Sequence, residues 1–242
     1  MSNNPMTKIN LAEDIILEGK PMTISGTINK TLLLLGIVVL VAMYTWNLCA
    51  SGFTDKANIL LIVGIVAGLI MAIITSCNQK ASPITAPTYA LCEGLVLGSI
   101  SYSYGSLYSG IVQNAIGITI LALFSMLLLY KAKLIQATPT FKKVIFTSTV
   151  AIAIFYFAGI IGALLGHPMT IFNGGALGIG ISLFFCAIAA LNFIVDFDFI
   201  EEAEKKLRPS YFEWYGGFAL LVTLIWLYLE ILRLLAQFSK RD

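Results

Sequence analysis

Four acidic side chains sit in or beside apolar runs that could lie in a membrane. Glu230 falls inside GGFALLVTLIWLYLEILRLLAQF, the run from Gly216 to Phe238. A run of that length crosses the hydrocarbon core of a bilayer. An ionisable group at that depth costs between about 3 and 10 kcal/mol or more, so it turns to a partner or to a wet cavity. Asp196 and Asp198 close a second run, Leu191-Asn-Phe-Ile-Val-Asp-Phe-Asp-Phe-Ile-Glu201, and Glu93 interrupts a third at Tyr89-Ala-Leu-Cys-Glu-Gly94. Such carboxylates can do two things: exchange a proton, and offer hard oxygen ligands to Ca²⁺. Two of them held close in low dielectric cannot both ionise cheaply and titrate as a unit.

A plainer reading stands beside that one. Arg233 follows Glu230 by three residues on the same helix face, so the two can form an intrahelical ion pair that neutralises the charge and has no part in transport. Asp196, Asp198, Glu201, Glu202 and Glu204 can form the solvated edge of a helix, balanced by Lys205, Lys206 and Arg208. The residues alone leave both readings open.

The elements that must position these groups follow from composition. The 242 residues are 58% hydrophobic and 12% charged, with a mean hydropathy of +0.89. That is too apolar for an ordinary soluble domain and marks an integral membrane protein whose first partner is the lipid bilayer. A net charge of +2 gives no basic surface for nucleic acid. Apolar runs predict seven spans: 31–48, 58–75, 86–104, 111–130, 144–165, 175–195 and 216–238. The seven prolines fall outside these spans or in a first turn. The pairs Gly64/Gly68, Gly94/Gly98 and Gly162/Gly166 predict close helix packing.

With seven spans, eleven Lys and Arg, from Lys8 to Arg208, fall on one side, and Lys56, Lys240 and Arg241 on the other. The positive-inside rule then puts the N-terminus in the cytoplasm and the C-terminus outside. No signal peptide is visible, so the first span is expected to direct insertion. An amphipathic stretch from Ile9 to Leu17 reads as part of a flexible cytoplasmic lead. Cys49, Cys77, Cys92 and Cys186 lack the spacing of a zinc site or disulfide framework and read as packing residues. The expected architecture is an all-α membrane protein, a seven-transmembrane-helix bundle over residues 31–238. A lead of residues 1–30 precedes it and a tail of 239–242 follows.

Other seven-helix or intramembrane classes fit poorly. No span holds a lysine for a retinal Schiff base, His167 is the only histidine where a metalloprotease needs a pair, and the last span lacks the Gly-x-Gly-Asp of intramembrane aspartyl proteases. A non-enzyme is expected.

The run Trp226-Leu-Tyr-Leu-Glu-Ile-Leu-Arg-Leu-Leu235 resembles the last helix of the Bax inhibitor family, also called the transmembrane Bax-inhibitor-motif family. In that family an acid follows Leu-Tyr-Leu; most members have Asp, and this chain has the longer Glu. Asp196 with Ile200 resembles the acid near the end of the family's sixth helix, with Asp198 where an amide is commoner. Glu93-Gly94 and the lead-in Thr27-Ile-Asn-Lys-Thr31 are similar to the bacterial branch.

The resemblance implies a pH-sensitive calcium leak, without a bound cofactor, in a bacterial inner membrane, with calcium or protons as the permeant. It makes Asp196 and Glu230 a shared-proton gate and weak calcium ligands, with Glu93 and Asp198 as candidates for the ion path; Arg233 is a charge partner of Glu230 by its spacing alone. The resemblance equally implies a rival: an interaction protein that binds and modulates a membrane-embedded ATP-dependent protease. Depth constrains the gate. Glu230 lies about 21 Å along a helix starting at Gly216, and Asp196 near the cytoplasmic end of the sixth. The two meet only if the last helix starts earlier, near Tyr211, or the sixth runs on past Asp196.

Overall fold

The computed structural model describes residues 20–167 and 175–240. Seven long helices follow one another in these residues: α1 (Ile24–Ala50), α2 (Thr54–Cys77), α3 (Ser82–Leu107), α4 (Ile111–Lys131), α5 (Pro139–Leu164), α6 (Ala176–Lys205) and α7 (Tyr211–Ser239). One 3₁₀ turn, Gln79–Ala81, joins α2 to α3. The stretch from Ile9 to Leu17, Pro168, Gly174 and Arg241 lie outside the described residues.

Six of these helices, all but α3, are long and apolar enough to cross a membrane. Their bare faces demand it. On α2 alone, Ile59, Ile62, Ile65, Val66, Leu69 and Ile73 are each more than half exposed, an apolar surface that lipid tails satisfy and water does not. The chain is a multi-pass membrane protein. The helices also outrun the predicted spans: α1 begins at Ile24, α6 continues to Lys205 and α7 begins at Tyr211.

The chain divides into two units, each described by itself. The first takes the residues up to Ser103 together with Asp198–Leu221, and the second takes Tyr104–Phe197 together with the chain from Val222. Thus α6 and α7 each give one end to the first unit and their longer part to the second.

In the first unit α3 is the enclosed helix. Ala86, Ala90, Val96 and Leu97 are buried, as are the hydroxyls of Ser82, Thr85, Ser99 and Ser101. Those hydroxyls lower its hydropathy, and enclosure by other helices makes them tolerable. Thr75 of α2 and Thr85 of α3 bond at 2.7 Å, while Thr85 also returns a bond to the Ala81 carbonyl. Pro87 sits inside α3 rather than in its first turn, because the helix starts at Ser82, ahead of the apolar run.

Two glycine pairs do what small residues do in lipid. A Cβ at Gly64 would come within 2.8 Å of the Cys92 carbonyl oxygen, one at Gly94 within 2.6 Å of Val41, and one at Gly98 would collide with the Ala42 backbone. The third pair has another use. Gly166 has φ +81° and, with the His167 N–H bonded to the Gly162 carbonyl at 2.8 Å, closes the C-terminal turn of α5.

The start of α1 is fastened to the adjoining ends of α6 and α7 and to the turn between them. Glu213 Oε1 accepts from the Thr23 N–H at 3.0 Å and its hydroxyl at 3.1 Å, and Glu204 Oε1 accepts from the Ile24 N–H at 2.8 Å. Two carboxylates thus meet the positive end of the helix dipole. Met22 adds a backbone bond to the Arg208 carbonyl at 2.8 Å. Glu201 and Glu202 instead form exposed pairs with Lys205 and Lys206, as expected of a solvated edge.

In the second unit the core joins Ile145 and Ile152 of α5 to Phe185 and Ile188 of α6, with Tyr156 and Trp226 packed against it. Thr138 caps α5 by accepting the Phe141 N–H, and Pro139 fills the first helical position, where no N–H is needed.

Candidate functional site

The second unit holds Glu230 at 1% exposure with every oxygen occupied. Oε1 accepts from the Tyr156 hydroxyl and from Trp226 Nε1 at 3.0 Å, and Oε2 accepts from Arg233 Nη1 at 3.0 Å. Arg233 also donates to the Tyr156 hydroxyl and lies 4.9 Å from the centre of its ring. Trp226 and Arg233 are four residues before and three after Glu230, which places both on its helix face. Tyr156 comes from α5. The intrahelical pair allowed by the spacing is therefore present, and Tyr156 ties it to a second helix.

Asp196 keeps different company. It is half-buried on α6, and its Oδ2 accepts from the Thr223 hydroxyl of α7 at 2.6 Å. Farther along the same two antiparallel helices, Gln237 Nε2 donates to Ser182 Oγ at 2.8 Å. These two bonds fix a register. Fourteen residues back along α6 from Asp196 to Ser182 match fourteen forward along α7 from Thr223 to Gln237. Midway, Glu230 is level with Ala189, which is fully buried and small enough to leave it room. Asp196 and Glu230 are thus offset by seven residues, about 10.5 Å along the axis.

The expected shared proton between them is absent from this arrangement. Both ways of bringing them together occur, since α7 begins at Tyr211 and α6 runs nine residues past Asp196. Neither changes which residue stands opposite which. A direct pair needs a two-turn slide of one helix against the other.

The remaining candidates lie in the first unit. Glu93 is half-buried on α3, with Tyr89 as its side-chain hydrogen-bond partner. Asp198, two residues beyond Asp196, points off another face of α6 and acts on Lys205 electrostatically. Among the described residues no three of His, Cys, Asp and Glu gather as a metal site, so calcium ligation by Asp196 and Glu230 has no third ligand of that kind beside it.

Sequence reasoning missed Tyr156, Thr223, Ser182 and Gln237, and also Asn192, whose Nδ2 donates to Thr149 Oγ1 at 3.0 Å. One signal for part of this set was available. Thr223, Glu230 and Gln237 recur every seven residues, the spacing that keeps one face of a helix against a neighbour.

A family model described as Bax inhibitor 1 like matches residues 3–240. No curated protein matches the chain. With nearly its whole length matched, the chain belongs to the Bax inhibitor 1 like family.

Proposed function

We propose that this member of the family is a pH-sensitive calcium leak across a bacterial inner membrane, with its N-terminus in the cytoplasm and Asp196 as the switch. The observation that carries the reading is the bond from Thr223 to Asp196, which makes an ionisable group one of the links between α6 and α7. Ionised, Asp196 accepts a charge-assisted bond and places negative charge and hard oxygens where a divalent cation is drawn. Protonated, it loses that charge and its attraction. Calcium flux therefore rises with pH and falls on acidification. Glu230 has a different part: with Arg233 it forms a neutral pair, and Tyr156 anchors that pair to α5, so the helices keep their register while Asp196 titrates.

Seven crossings fit this reading. Within the first unit, Ser82 at the start of α3 donates to the Tyr211 carbonyl at 2.8 Å, and Tyr102 near its end packs edge-on to Trp46 near the end of α1. With Gly94 and Gly98 also set against α1, these contacts support a seventh crossing by α3. The test is calcium entry into liposomes reconstituted with purified protein across a range of pH. Asp196→Asn is expected to keep the fold, lower the flux and flatten its pH dependence. A wild-type pH profile in that variant overturns the assignment.

A further inference from the structure

Along the facing surfaces of α6 and α7, polar groups recur every two turns. One layer holds Asp196 and Thr223, the next holds Glu230 level with Ala189, and the third holds Ser182 and Gln237. The row covers fourteen residues of α7, about 21 Å, or most of the hydrocarbon thickness of a bilayer. From α5, Tyr156 joins the middle layer and Thr149, through Asn192, fills the interval between the first two.

The third layer is unfinished. Ser182 is fully buried and Gln237 is 2% exposed, and among the described residues Gln237 Oε1 has no hydrogen-bond partner. Turning the amide over does not help. Ser182 has one hydroxyl, so the unmet demand would pass from the oxygen to the nitrogen. A buried amide oxygen in that condition calls for a donor from outside the side chains, and water is the donor of the right size. Between this layer and the middle one stands Cys186, close enough to feel the charges of both Glu230 and Arg233.

We propose that Gln237 and Ser182 hold water as one station of a proton relay that runs between α5, α6 and α7, past Glu230 and Tyr156, to Asp196. A proton enters on water at the Gln237 end as another leaves at the Asp196 end, so no bond changes on balance. Glu230 neutralises the Arg233 guanidinium in the row, so the middle layer carries no net positive charge to repel a relayed proton. The relay goes beyond the calcium leak, since it needs only proton passage, and it gives Asp196 access to the pH at the far end of α7.

The test uses the full-length protein in liposomes with a trapped pH-sensitive dye and a potassium diffusion potential set by valinomycin. The wild type is expected to admit protons above the rate of empty liposomes. Gln237→Leu, which removes the unmet group, is expected to melt no lower than the wild type and to cut proton entry about tenfold or more, as loss of one hydrogen-bonded station implies. Gln237→Glu, which can both accept and donate, is expected to retain it. Wild-type proton entry in Gln237→Leu, or none above background in the wild type, overturns the relay. Should the Leu variant not fold, Ser182→Ala decides by the same criterion. A calcium dye in parallel wild-type vesicles separates the two proposals: protons without calcium removes the leak and leaves the relay, and calcium without protons does the reverse.

Discussion

At Glu230 the physics of a buried charge is played out in one side chain. The carboxylate is tolerable because Arg233, Tyr156 and Trp226 together occupy both of its oxygens. Removing one partner of such a pair strands the other, which costs roughly 3–5 kcal/mol, whereas replacing both with apolar groups is often harmless. Glu230→Gln is therefore expected to lower the melting temperature in detergent sharply, and Glu230→Met with Arg233→Met to recover most of the loss. A double variant as unstable as the single one would show that the pair is not what holds the site. Glu230 and Arg233 were legible in the sequence, the first as a charge in an apolar run and the second by its spacing. Tyr156 was not, because it lies 74 residues away on another helix and an aromatic there reads like any core residue.

Between helices, what matters is how closely backbones approach and which residues stand level. Gly94 and Gly98 let α3 lie against α1, and a Cβ at Gly98 meets both the Ala42 backbone and Thr45. Gly98→Ala is expected to destabilise by about 1–3 kcal/mol through overpacking. Gly117, inside α4, has nothing within 4 Å of a built Cβ, so Gly117→Ala should be neutral or gain up to about 1 kcal/mol from helix propensity. Thermal unfolding of the two variants checks the contrast, and equal effects would contradict the packing described. The glycine spacing alone gave the same forecast for all three pairs, yet Gly162/Gly166 ends a helix. The difference lies in the φ of Gly166, which no spacing reveals. The pairing of Asp196 with Glu230 failed for a related reason. Helix lengths and end points were within reach of the sequence, but register depends on which side chains bond across the interface, and those were the uncharged Thr223, Ser182 and Gln237.

Over the whole chain, the number of crossings decides where the termini lie. The apolar runs gave all seven long helices; six are apolar enough to cross a membrane, and α3 is set apart by hydroxyls that are buried against its neighbours rather than offered to lipid. If α3 crosses as well, tags on the N- and C-termini report opposite sides of the membrane. Protease or impermeant-label accessibility in intact cells checks this, and two tags on the same side would mean six crossings. Cys77, exposed at the end of α2, should label from the same side as the N-terminus. Overall charge and hydropathy made the membrane setting legible, but the permeant ion is a property of a path and not of a composition. Calcium entry through the purified protein in liposomes, at one acidic and one alkaline pH, tests the central claim most directly. The account predicts flux above empty vesicles at alkaline pH, suppressed by acid in the wild type and insensitive to acid in Asp196→Asn. Flux no greater than in empty vesicles at either pH would contradict it.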